Sequence, residues 1–162
     1  MQKFVKKLLV GILAGTMLLG SVATSYAATS PSTSTEPVKQ TETVSTASGV
    51  KATVATKADG TATVKAVKTT KKTVTVGKTV KVDGVSYTVT TIGAKAFAKA
   101  TNLKTIKINN ANVKVSKNAL KGVKAKSLTI KLPAKATKAQ KNALKKAFKA
   151  AAKNAGIKVV FK

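Results

Sequence analysis

The chain has 162 residues, a length that suits one domain, and a formal net charge of +27 from 31 basic against four acidic residues. Every basic residue is lysine, and there is no cysteine and no histidine. Disulfide staples, thiol chemistry and imidazole catalysis are therefore excluded, and stability has to come from a packed apolar core.

Met1 to Lys7 carries three lysines, Leu8 to Leu19 is apolar, and Ser25-Tyr26-Ala27 places small residues where a signal peptidase cuts. This order predicts a secretory signal peptide over residues 1–27, cleaved after Ala27. The apolar run is short for a membrane span. An uncleaved N-terminal anchor is the plainer alternative. No second long apolar segment is present, so no membrane span is expected after cleavage.

Residues 28–49 are rich in Ser and Thr, hold Pro31 and Pro37, and lack Leu, Ile and aromatics. Such a segment buries too little surface to offset its ordering entropy, which predicts a disordered linker. It reads equally as a spacer or as an unselected tail.

Residues 50–91 alternate. Val50, Ala52 and Val54 precede Asp59-Gly60; Ala62 and Val64 come after it; Val74, Val76, Val80 and Val82 lead to Asp83-Gly84 and then Val85, Tyr87 and Val89. Period-two runs separated by Asp-Gly predict hairpins, because both residues tolerate positive φ. The segment is expected to be a β-meander.

The stretch from Ile92 to Ile108 sets the architecture. Ala94 to Ala100 is a small-residue, helix-like run; Thr101-Asn102 is a turn; Leu103, Ile106 and Ile108 then alternate with polar residues. A helical arc feeding a strand is the implied unit. It returns: Lys117-Asn118-Ala119-Leu120-Lys121 reappears as Lys141-Asn142-Ala143-Leu144-Lys145, 24 residues on. Recurrence at that interval marks a solenoid. Asn109, Asn110 and Asn112 sit where the strand bends, suited to satisfying turning backbone.

After Pro133, Thr137 and Gln140 form a capping box. Apolar residues including Leu144, Ala147, Phe148 and Ala151 keep helical spacing up to Gly156, a stop signal, and Ile157, Val159 and Phe161 alternate to the last residue. A helix over 137–155 and a terminal strand are expected to close the stack. The predicted repeat core is Ile92, Phe97, Leu103, Ile106, Ile108, Val115, Leu120, Leu128, Ile130, Leu132, Leu144 and Phe148.

These residues resemble the bacterial surface leucine-rich repeats of the BspA type. That family's coil runs roughly Ile-Gly-x-x-Ala-Phe-x-x-Cys-x-x-Leu-x-x-Ile-x-Ile. Ile92, Gly93, Ala96, Phe97, Leu103, Ile106 and Ile108 fill the matching places, with Ala100 where the family often has Cys. Val115, Ala119, Leu120, Leu128, Ile130 and Leu132 match more loosely. The resemblance implies an α/β solenoid: a short leucine-rich-repeat stack over 92–162, with a β-meander cap before it and a capping helix plus strand after it. It also implies a non-catalytic module making protein–protein or adhesive contacts at the cell surface or after secretion.

The inventory supports binding over catalysis. Glu36 and Glu42 fall in the linker and Asp59 and Asp83 in turns, so no paired carboxylates, metal cluster or nucleophile–base pair can be assembled. No enzyme activity, metal or cofactor is expected. Thr105, Lys107, Thr129, Lys131 and Lys158 are expected to point outward from the solenoid strands as a basic stripe. It reads as a docking surface for an extracellular protein or an anionic cell-wall polymer, or simply as the solvated face of a lysine-rich chain. Lysine is a hydrated point charge without the fork of arginine, so polyanion binding should be nonspecific and salt-labile. Aromatics are scarce (4%), which argues against specific nucleic-acid binding. Two alternatives are a cationic membrane-active polypeptide, disfavoured by the alanine-rich helix face, and a degenerate fragment of a larger repeat adhesin.

Overall fold

The computed structural model describes residues 41–45 and 50–162. The expected signal peptide and most of the expected linker lie outside the described residues. Within the linker segment, Thr41–Ser45 forms strand β1, paired antiparallel with β2 (Lys51–Thr56). The disordered reading does not hold for these five residues. Composition argued only that they bring no core of their own; a strand rich in β-branched residues can instead borrow a ladder from a neighbouring edge.

Five strands occupy the segment read as a meander: β2, β3 (Thr61–Lys68), β4 (Thr73–Val76), β5 (Thr79–Val82) and β6 (Val85–Ile92). They do not run as one meander. β2 and β3 form an antiparallel hairpin, as do β5 and β6, but β3 pairs parallel with β6. β4 leaves this sheet altogether and pairs parallel with β7 (Thr105–Ile108). The alternation of Val74 and Val76 fits a hairpin arm and a solenoid rung equally well; the rung is what stacks them on Ile106 and Ile108. The coils therefore begin near residue 61 rather than 92.

Two sheets result. One has the order β1-β2-β3-β6-β5, with β8 (Lys114–Val115) parallel to β6. The other has the order β10-β9-β7-β4 and is parallel throughout, with β9 at Ser127–Lys131 and β10 at Lys158–Phe161. Four coils can be traced among the described residues: β3 to β4, β6 to β7, β8 to β9, and α1 (Lys138–Ala155) to β10. The inward residues of both sheets merge into one hydrophobic core, in which Ile92, Phe97, Ile106, Ile108, Leu120, Ile130 and Phe148 are fully buried. Of the predicted core set, Leu103, Leu128 and Leu144 are also buried, while Val115 and Leu132 are only partly covered and pack against its margin.

The arcs between strands are turns, not helix. In the second coil Ala98 N–H donates to the Lys95 carbonyl and Ala100 N–H to that of Phe97, both at 3.0 Å. The third coil repeats this 23 residues later, from Lys121 to Asn118 and from Val123 to Leu120, both at 3.1 Å. Lys95 has φ 56° and Gly122 φ 89°, so neither arc can propagate a right-handed helix. The arcs also bond to each other: Lys95 N–H reaches the Asn118 carbonyl at 2.8 Å. Asn110, 7% exposed, donates from Nδ2 to the Val89 carbonyl at 2.6 Å and accepts from Asn112 N–H at 3.0 Å, satisfying the bend.

The two Asp-Gly turns differ. Asp83 and Gly84 both have positive φ, as a two-residue primed hairpin turn requires. At Asp59-Gly60 only the glycine does, because the loop is longer: Gly60 N–H bonds the Lys57 carbonyl at 3.2 Å, and Lys57 N–H bonds the Thr61 carbonyl at 2.9 Å. This is a tight turn followed by a left-handed glycine.

In the last coil a helix replaces the arc. Thr137 accepts from Gln140 N–H through its hydroxyl, the Gln140 side chain accepts from Thr137 N–H, and Gly156 at φ 68° ends it. Leu144, Phe148, Ala151 and Ala152 are its buried stripe.

Candidate functional site

The outward side of the parallel sheet is built by period two. Because Val74, Val76, Ile106, Ile108, Leu128 and Ile130 turn inward, the residues between them must face out. Parallel in-register pairing then converts strand sequence into rows. Thr73 stands opposite Thr105, and Thr105 opposite Thr129. Thr75 stands opposite Lys107, and Lys107 opposite Lys131. Neighbouring members of a row are about 4.8 Å apart, the strand spacing.

The five residues expected to form a stripe are thus distributed over more than one row. Thr105 and Thr129 share a half-buried threonine row, and Lys107 and Lys131 share an exposed lysine row. Lys158 is exposed on the same side but stands opposite Ser127, out of line with both. In its strand the threonine row is continued by Val160, which is 52% exposed. The lysine row is continued instead by Lys162: its N–H donates to the Ile130 carbonyl at 3.0 Å, and its carbonyl accepts from Leu132 N–H at 2.8 Å, which sets it beside Lys131.

Three members of this face were not recognisable from the strands taken singly: Thr73, Thr75 and Lys162. The usable signal was the likeness of Thr73-Val74-Thr75 to Thr105-Ile106-Lys107 and Thr129-Ile130-Lys131. The alternation of Val74 and Val76, equally suited to a hairpin arm, hides it.

Chemically the face offers hydroxyls and ammonium groups side by side: a hydrogen-bonding row next to a cationic one. None of the side chains in these rows is a carboxylate. Among the described residues, no three of His, Cys, Asp and Glu lie close enough to hold a metal ion. No helix among them is long and apolar enough to cross a membrane.

Residues 79–153 match the family model of the BspA type leucine rich repeat region, in six copies. No curated protein and no solved structure matches the chain. The first coil, β3 to β4, lies outside the matched residues yet continues the same parallel ladders. The repeating arcs and in-register rungs agree with that match: residues 79–153 carry repeats of the BspA leucine-rich type.

Proposed function

We propose that the chain is a non-catalytic binding module, exported to the cell surface or medium, that makes adhesive or protein–protein contacts through the threonine–lysine face of its parallel sheet. The observation that carries this reading is the register: Lys107, Lys131 and Lys162 align across three neighbouring strands beside the Thr73–Thr105–Thr129 row. Aligned cations sum their fields along one line, whereas scattered ones are screened independently beyond about 8–10 Å. The favoured partner is an anionic cell-wall polymer or an acidic patch on an extracellular protein. A closed β segment at one end and the helix at the other would protect the core of the stack, as repeat arrays require.

A membrane-active role has less support. The large residues of the helix, Leu144 and Phe148, are buried in the core, so the helix has no large apolar side to give a bilayer.

The test compares two charge-matched variants. Lys107→Gln/Lys131→Gln/Lys162→Gln removes the row; Lys138→Gln/Lys145→Gln/Lys149→Gln removes three exposed helix lysines. Retention on isolated wall polymer is followed through a rising salt wash. The row variant should elute at markedly lower salt than the helix variant. Equal elution would reduce the face to generic charge, and binding indifferent to salt would count against an electrostatic partner altogether.

A further inference from the structure

The two edges of the parallel sheet are finished differently. At one edge, Val74 and Val76 of β4 are buried, although β7 is the strand that pairs with them. At the other, Val159 and Phe161 of β10 stay partly uncovered, while Leu128 and Ile130, opposite them in β9, are buried. Every earlier inward rung of this sheet is closed over; the last one is not.

The backbone of β10 is only half used. Lys158 N–H donates to the Lys126 carbonyl at 2.9 Å, and Lys162 N–H to the Ile130 carbonyl at 3.0 Å. Successive peptide groups of a strand point to opposite sides, so the N–H and C=O of Val159 and Phe161 aim away from β9. Among the described residues β10 pairs with β9 alone. A row of open donors and acceptors beside partly covered apolar side chains is a template for one more strand.

Charge selects the strand that can use it. Lys158 and Lys162 are exposed and flank Val160 on the outward side. A second copy of β10 would set lysine against lysine across the new ladder, which is unfavourable, and edge lysines guard against such self-pairing. A strand with carboxylates at those two positions meets the opposite charge instead.

We propose that the free edge of β10 takes up an extended acidic segment of another protein, which adds a strand to the parallel sheet. Its pattern follows from the register. Acids stand opposite Lys158 and Lys162, large apolar residues opposite Val159 and Phe161, and the position opposite Val160 is tolerant. The pattern reads the same in both chain directions, so it suits a parallel or an antiparallel strand. Main-chain hydrogen bonds supply the affinity, and the alternating side chains supply the selectivity. The β4 edge offers less, because its inward valines have almost no surface left to cover. The β10 edge shares Lys162 with the outer face of the sheet, but either surface can bind without the other.

The test uses the whole protein and the end-capped peptide Ser-Glu-Leu-Thr-Ile-Glu-Ser, with fluorescence anisotropy for binding and NMR for amide exchange. One peptide per chain is expected, bound about tenfold more tightly than the scrambled Glu-Glu-Ser-Leu-Ile-Thr-Ser. Peptide should slow exchange of the Val159 and Phe161 amides and change that of Lys158, already bonded, very little. Lys158→Glu should weaken the peptide several-fold more than Lys149→Glu, an equal charge change at an exposed helix position. Lys158→Glu should also bind Ser-Lys-Leu-Thr-Ile-Lys-Ser more tightly than the wild type does. Equal binding of the scrambled peptide, or equal effects of the two charge variants, would overturn the proposal by reducing it to attraction by net charge. Unchanged exchange at Val159 and Phe161 would overturn it by placing the peptide elsewhere. Exchange there that slows with protein concentration alone would give the edge to a second copy of the chain.

Discussion

Gln140 donates from Nε2 to Asn112 Oδ1 at 2.7 Å, across two successive coils, while its Oε1 accepts from Thr137 N–H at 2.9 Å. One side chain therefore caps the helix and ties it to the bend of the preceding coil. A second tie lies near the helix's other end, where Asn154 Nδ2 donates to the Lys117 carbonyl at 3.0 Å. Gln140→Ala should lower stability by about 1–2 kcal/mol, the size of a lost cap plus one hydrogen bond. Gln140→Glu keeps the acceptor and should lose less. A double-mutant cycle with Asn112→Ala, followed by urea unfolding, should return a coupling of about 0.5–1 kcal/mol; strict additivity would mean that the tie contributes nothing.

Phe97 and Leu120 occupy the same place in consecutive arcs, joined by a bond from Phe97 N–H to the Ala119 carbonyl, and both are fully buried. Phe97→Ala should cost about 3–5 kcal/mol and Leu120→Ala about 2–5 kcal/mol, from lost transfer energy plus the hole left behind. Denaturant midpoints measure both. A loss below about 1 kcal/mol at Phe97 would mean that the arcs do not carry the core.

Gly122 has φ 89°, and a Cβ placed there would lie 3.0 Å from the Cβ of Ala98 in the coil before it. Gly122→Ala should therefore destabilise by about 1–2 kcal/mol through backbone strain with steric crowding. Adding Ala98→Gly should relieve the crowding and leave the strain. Thermal melts of the single and double variants separate the two effects.

The Asp59 carboxyl is held below the ordinary carboxylate range, first by the hydrogen bond from the Thr61 hydroxyl and then by that from Thr61 N–H. A lowered folded-state value means that its contribution is present above the ordinary carboxylate pKa, about 3.9, and fades as pH falls through the folded-state value. Melting temperatures from about pH 6 to about pH 2 should show the gap between wild type and Asp59→Asn narrowing at the acid end. A gap that is constant over that range would mean that the lowered carboxyl adds nothing to the hairpin.

The helix was fully legible, because Thr137, Gln140 and Gly156 are local signals read by local backbone. Most strands were legible for the same reason: alternation needs only the strand itself. Partners were not. Val74 and Val76 carry no mark saying whether their neighbour is Val80 or Ile106, since either pairing buries the same side chains. The arcs misled in the other direction. Alanine-rich Ala94–Ala100 has helical composition, but a chain that must turn twice within seven residues takes positive φ at Lys95 and stops after two turn bonds. On the candidate face, Thr105, Lys107, Thr129 and Lys131 could be anticipated from alternation. The row through Thr75 and Lys162 depended on register, which a parallel ladder decides between strands and not within them.

The 23-residue offset between the second and third arcs has an evolutionary corollary. Each rung bonds only to the rungs beside it, so a whole coil can be copied or deleted and the cut ends still meet an equivalent neighbour. Chain length in such a protein is free to drift in quanta of one rung, while a gain or loss of single residues inside a rung would throw every outward group onto the wrong side.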